Sequence, residues 1–201
     1  DLSNELTVVP KNPLNDTGIV SSGGGTSSSN ETCTTAINNE GHVPQDCDQG
    51  RDADLTLTKV GAGVAAFDFT KIASDGSALT VQGGAWAADG SEAAGTRWSC
   101  VRDNVTGLVW EMKTEADAGI HATNAKVVWA DRNLLADATN TEALCGIQNW
   151  RVPTVVELAT IVNANRLNPA LDTARFPNGA GSHWASNPVA GDGANGWVVN
   201  F

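Results

Sequence analysis

Apolar positions along this chain gather after residue 54, and their spacing moves from strand-like to helix-like and back. Between Leu55 and Trp98 the signals are short. Phe67 and Phe69 stand two apart and so share one side of a strand, and Ser74-Asp75-Gly76 and Asp89-Gly90 read as turns. Val101 and Leu108 to Trp110 flank Asp103 to Gly107, the pattern of a hairpin with Gly107 in a left-handed conformation. A first helix is predicted over Asn124 to Ala136, with Val127, Val128, Leu134 and Leu135 as its apolar face, and a short turn from Thr141 to Cys145 stops at Gly146. Thr154 precedes Glu157 by three positions, the reciprocal capping box that predicts a second helix from Val155. Val155, Leu158, Ile161 and Val162 then recur on one face, Pro153 keeps the residue before it extended, and Trp150 is placed to anchor the junction. Asn163 to Gly196 reads as loop-rich, interrupted by strand candidates around Trp184 and at Trp197 to Phe201.

Residues 1–54 are rich in Ser, Gly, Asn, Thr and Asp, and Ser21 to Ser29 reads as flexible linker that cannot build a core alone. Within this leader, Leu6-Thr7-Val8-Val9 is a strand candidate that Pro10 ends, and it must pair with something to be ordered. The expected organisation is therefore a flexible leader over 1–54 carrying a candidate donor strand, followed by one domain over 55–201. No internal repeat is present.

At 201 residues and 41% hydrophobic, the chain is long enough to bury a sizeable core. No apolar run approaches the length of a membrane span. The start at Asp1 has no basic, apolar signal segment, which fits either a mature secreted chain after signal removal or a cytosolic one. Four cysteines favour the first. A net charge of −11 argues against a broad nucleic-acid or polyanion footprint, which needs a basic face. A sulfated polymer would have to find a local basic patch, for which Lys113, Lys126, Arg132, Arg151 and Arg166 are the candidates. Seven Trp and no Tyr are accounted for by core packing.

Cys33 and Cys47 bracket one loop, and Cys100 and Cys145 bracket the hairpin and first helix; both pairs are expected as disulfides. No pair has the short spacing of a four-cysteine zinc site. Asp46, Asp48, Asp52 and Asp54 offer hard oxygen ligands at alternating positions, so calcium is a candidate ion, although Gly50 falls one place early for the common calcium loop. A solvated acidic turn is the preferred reading there, and no other cofactor is expected. His42, His121 and His183 lie far apart, with no Ser-centred elbow or paired-His motif, so a non-enzymatic protein is expected. Asn15, Asn30 and Asn104 open N-x-T triplets, as chance supplies in an Asn- and Thr-rich chain.

Two stretches, Asn149-Trp150-Arg151-Val152-Pro153-Thr154 and Trp98-Ser99-Cys100-Val101-Arg102-Asp103 with its continuation through Gly107 to Glu111, together resemble the Lcl C-terminal domain family, named for the end domain of a bacterial collagen-like adhesin. Leu144-Cys145-Gly146, Phe176-Pro177-Asn178, His183-Trp184-Ala185-Ser186 and Trp197 to Phe201 add to the resemblance, which is strong from about Trp98 onward. It implies an α+β, C-type-lectin-like fold: short antiparallel strands, two helices, long loops and disulfide staples. Arg151-Val152-Pro153-Thr154 also looks like the helix start of the formylglycine-generating enzyme relatives, but nothing else supports carrying their copper chemistry over. The family's customary last strand, often ending in Val-Arg, does not follow Phe201 here, and the expectation is that those residues were cleaved or lie beyond this stretch of sequence.

The resulting expectation is a secreted or cell-surface binding or adhesion module that presents loops to a glycan or protein. Its candidate ligand residues are Trp184, His183, Ser186, Asn187, Asp192 and Asn195, where indole rings stack on a sugar face and polar groups fix orientation. The alternative is a structural subunit of an extracellular filament or assembly, linked by exchange of the Leu6 to Val9 strand into a neighbour's sheet edge. The partners expected are thus a glycan, a surface protein or further copies of the chain.

Overall fold

The computed structural model describes residues 21–23, 30–32, 67–115, 118–164 and 166–201. Leu6 to Val9, the Cys33 and Cys47 pair, His42 and the aspartates Asp46, Asp48, Asp52 and Asp54 lie outside the described residues.

The start of the expected linker is a strand. β1 (Ser21–Gly23) pairs antiparallel with β2 (Asn30–Thr32), Ser21 opposite Thr32. A backbone ladder needs no apolar side chains, so composition could not reveal this one.

A three-stranded antiparallel sheet, β3 (Phe69–Ile72), β4 (Cys100–Asp103) and β5 (Val109–Glu111), organises the domain, with β4 in the centre. Period-two alternation sorts its side chains onto two buried faces. Phe69, Lys71, Val101, Asp103 and Trp110 share one face, because Phe69 opposes Asp103, Lys71 opposes Val101 and Val101 opposes Trp110. That face meets the main core, where Phe67 stacks on Phe69 at 5.4 Å between centroids and Phe176 meets Phe69 edge-on at 5.2 Å. The opposite face carries Ile72 and Cys100, which form a second small core with Cys145, against which Val109, Leu144 and Trp150 pack. Gly107 has φ +76°, as the hairpin between β4 and β5 demands, and Asp103 Oδ1 accepts from the amides of Val105 and Thr106 at 2.9 and 3.2 Å to close the same turn.

Lys71 is fully buried. Its ammonium lies 3.8 Å from the centre of the Trp98 ring and donates to the carbonyls of Gly84 and Gly95, so it ties the long loop after β3 back onto the strand. Burial, with the Arg175 charge adding to it, lowers this amine from 10.5 to about 8.

The first helix begins later than its apolar spacing suggested. Val128 is extended, a short 3-10 turn covers Trp129–Asp131, and α1 spans Asn133–Glu142, taking in the first two residues of the stretch read as a turn. The assumed apolar face is not one: Val128 is 64% and Leu134 58% exposed, while Trp129 is the buried residue of the segment. Tertiary contacts decide this, since Trp129 Nε1 donates to the Ala185 carbonyl at 3.2 Å and Trp184 Nε1 to the Val127 carbonyl at 2.9 Å.

After α1, Ala143 and Cys145 adopt positive φ and a 3-10 turn over Leu144–Gly146 brings Cys145 to Cys100, with Cα atoms 6.5 Å apart in the disulfide. Trp150 anchors the next junction as expected, its Nε1 donating to the Leu144 carbonyl at 3.2 Å. α2 (Val155–Ala159) starts at the capping box: the Glu157 amide donates to Thr154 Oγ1 at 3.2 Å and the Thr154 amide to Glu157 Oε2 at 2.8 Å. Leu158 and Ile161 are buried and Val155 and Val162 pack beside them, although the helix ends before Ile161. Among the described residues the fold is thus α+β, with two α-helices, small antiparallel sheets and a disulfide staple.

Candidate functional site

The strand candidates around Trp184 and at Trp197 to Phe201 are strands, and the residues between them, read as loop, extend both into one long hairpin. β6 (Ser182–Val189) pairs antiparallel with β7 (Asp192–Asn200), turning at Ala190 and Gly191, where Gly191 takes φ +79°. Asn187, Asp192, Gly193 and Gly196 are poor strand formers, which is why sequence alone suggested a loop. Pro188 has no N-H for the ladder, and the register shifts on both sides of it.

One side of the hairpin is fastened to the domain. The Ser186 amide donates to the Pro153 carbonyl at 2.8 Å, and Asn187 Oδ1 accepts from the Val155 amide at 2.9 Å. Trp184 is half-buried and spends its indole N-H on Val127. His183 is also half-buried: Nε2 donates to the Gly179 carbonyl at 2.9 Å, and its ring lies 5.4 Å from that of Phe201. Burial is the largest influence on this imidazole and lowers its pKa, favouring the neutral form. Trp129 rests against the hairpin at Gly196, with the Arg132 guanidinium 3.9 Å from the centre of its ring.

The free part is the turn and the strand that leaves it. Asp192 and Asn195 are exposed and hydrogen-bonded to each other, Asn195 Nδ2 to Asp192 Oδ2 at 2.6 Å, which is the main reason the Asp192 carboxyl lies below its usual range. Trp197 is 51% and Val198 42% exposed, on opposite faces of β7.

The six residues expected to bind ligand therefore share one hairpin but divide by role. His183, Trp184, Ser186 and Asn187 hold it to the domain, and Asp192 and Asn195 shape its outer turn. Trp197, the indole beside which the sequence placed these polar residues without counting it among them, is the exposed ring of the hairpin. Alternation within β7 could not reveal it, because both faces of that strand are partly open.

Three of the candidate cations, Lys113, Arg151 and Arg166, are engaged by local partners. Lys113 is paired with Glu111 at 2.8 Å, Arg151 with Glu157 at 2.5 Å, and Arg166 donates to Thr173 Oγ1 at 3.1 Å. Among the described residues, no group of three or more His, Cys, Asp or Glu side chains is arranged to hold a metal ion, and no helix is long and apolar enough to cross a membrane.

Comparison with known proteins returned no match among curated proteins and none among solved structures. A family model, the Lcl C-terminal domain, matches residues 99–201, which takes in β4, β5, the disulfide, both helices and the hairpin. The main core extends upstream of the match, since Phe67, Phe69, Leu79 and Trp98 are part of it. The family is one of extracellular, surface-associated domains of adhesion type, without a catalytic role. By the match over just over half of its length, the chain belongs to the Lcl C-terminal domain family.

Proposed function

We propose that the β6–β7 hairpin is the recognition element of a secreted, non-enzymatic adhesion module and that it binds a glycan or a surface protein. The observation that carries this reading is the exposure of Trp197 on a hairpin whose other side is fastened to α2 and to the Val127 segment. An aromatic face held rigid loses little conformational freedom on binding and stacks on a sugar ring or an apolar side chain. Asp192 and Asn195 add polar groups at the turn, while His183, Trp184, Ser186 and Asn187 fix its position. A C-type-lectin-like fold, a leader over 1–54 and a domain over 55–201 belong to the same reading, and a thermal shift with calcium and with chelator tests whether Asp46, Asp48, Asp52 and Asp54 form the solvated acidic turn preferred there or hold the candidate ion.

The test is a glycan array and a panel of immobilised surface proteins, followed by titration of any saturable ligand with Trp197→Ala and Trp184→Ala. Trp197→Ala is expected to weaken binding by about tenfold or more, as truncation of an aromatic anchor does, with the fold unchanged by circular dichroism. A screen without a saturable ligand, or binding indifferent to both substitutions, removes the reading.

A structural role is the second reading, favoured by one observation: among the described residues, the edge of β7 away from β6 carries no strand. Such an edge accepts a strand from another copy, and Leu6 to Val9 is the proposed donor. Removing residues 1–20 should then leave a folded monomer that no longer assembles, read by size-exclusion chromatography. A truncated chain that still assembles rules the donor strand out.

A further inference from the structure

His121 lies between two carboxylates that come from different elements. Nδ1 is 2.7 Å from Glu111 Oε1 on β5, and Nε2 is 2.9 Å from Glu142 Oε2 at the last residue of α1. A neutral imidazole has one N-H and one lone pair, so it can donate to only one of these oxygens and turns a lone pair toward the other. Only the imidazolium donates to both. Lys113 shares the same Glu111 oxygen at 2.8 Å and also donates to the Ile120 carbonyl at 3.3 Å, so the whole group is one charge network. His183, on the hairpin, lies within the field of Glu111 and Lys113. Among the described residues no other charged group bears on the His121 ring.

The network runs beside the disulfide. Glu111 opposes Cys100 in the sheet register, and Glu142 precedes Cys145 by three positions, so the ionic bridge and the covalent one join the same strand pair to the same helix end. The ionic bridge additionally takes in the loop around His121. The Thr114 amide donates to the His121 carbonyl at 2.8 Å and the Thr123 amide to the Thr114 carbonyl at 2.9 Å. Glu111 and His121 side chains are only 20% and 22% exposed, against 56% for Glu142, so the inner contact is shielded and the outer one wet.

We propose that Glu111, His121 and Glu142 form a proton-operated tie that fastens the loop around His121 to β5 and to the end of α1, closed with an imidazolium and released at Glu142 when the proton leaves. The hydrogen bond that the ring donates to Glu111, helped by the one to Glu142, outweighs burial and raises this imidazole above its ordinary 6.5. A raised folded-state pKa means that the tie's contribution is complete below the unfolded histidine value and is lost as pH climbs through the folded one. Loosening therefore belongs to neutral and alkaline conditions, while the disulfide keeps the helix end in place.

Amide hydrogen exchange of the full chain, corrected for the intrinsic pH dependence of exchange, tests this. Between about pH 5.5 and about pH 8.5, which bracket imidazole titration, protection at Thr114 and Thr123 is expected to fall about tenfold, the loss of one charge-assisted hydrogen bond. His121→Gln should show no such step, and Glu142→Gln, which leaves the Glu111 contact intact, should move the step to lower pH. A parent protein without a step, or a His121→Gln variant that keeps it, overturns the proposal. So does an NMR titration of the unsubstituted protein in which the His121 ring is already neutral below pH 6.5.

Discussion

Trp129 abuts the backbone of Gly196 so closely that a Cβ on Gly196 would lie 1.6 Å from the indole nitrogen. No rotamer adjustment of a few tenths of an ångström absorbs that overlap. Gly196→Ala is therefore expected to push Trp129 off the hairpin and break its hydrogen bond to Ala185, at a cost of about 3 kcal/mol, the upper end for overpacking. Urea unfolding followed by Trp fluorescence measures it, and a loss under about 0.5 kcal/mol, the level of a neutral surface change, would contradict the close contact.

Lys71 gives the stability a slope on the alkaline side. The unfolded chain holds this proton up to its ordinary 10.5, whereas the folded chain releases it from about 8. Between those values the unfolded state binds more protons, so stability gained from this site rises with pH, and below about 8 the burial penalty is fully present. Denaturant midpoints of the parent and of Lys71→Met, compared across this window, should draw together or cross in the parent's favour as pH rises. A difference that stays constant with pH would show that Lys71 does not titrate there.

The Cys100 to Cys145 disulfide closes a loop of 45 residues. In the chain-entropy model that length corresponds to about 4 kcal/mol. Equilibrium unfolding with and without reductant, or of a Cys100→Ser, Cys145→Ser double variant, should show a loss of that order. An unchanged midpoint would mean that the reduced chain keeps the same constraint by other contacts.

The start of α2 should be acid-sensitive. Hydrogen bonds from Arg151, assisted by those from Thr154, take the Glu157 carboxyl from 4.5 down to about 2, against a smaller opposing effect of burial. A depressed folded-state value means the contribution is present above 4.5 and fades as pH falls toward about 2. Glu157→Gln should flatten the acid limb of the stability curve in that range, and Thr154→Ala should cost about 1 kcal/mol at neutral pH, as loss of a helix cap does. An acid limb identical in parent and Glu157→Gln would assign it to other carboxylates.

What could be read from sequence was local. Thr154 and Glu157 satisfy each other within one helical turn, Gly107 answers to its own hairpin, and Phe67 and Phe69 share a side by alternation alone. What could not be read depends on distant partners. Trp129 draws the chain inward through a carbonyl 56 residues away and so delays α1 past the apolar stretch that should have begun it. Lys71 is buried because the Gly84 and Gly95 carbonyls receive it, and a carbonyl has no signature in a sequence. The candidate site divided along the same line. His183, Trp184, Ser186, Asn187, Asp192 and Asn195 do lie on one hairpin, but which of two nearby indoles stays open depended on Val127 accepting the N-H of Trp184.

The bond between the Val155 amide and Asn187 also makes the domain a load path. Val155 opens α2, and its amide is one of those a helix leaves without an internal partner, so the hairpin supplies what the helix lacks. Tension applied at Asp192 runs down β6 to Ser186 and Asn187 and enters the helix start through Pro153 and Val155, two residues bracketing the cap. Peeling the hairpin from Pro153 and Val155 therefore also frays the start of α2, and a load on the hairpin is shared between that helix start and the indole bonds of Trp184 and Trp129.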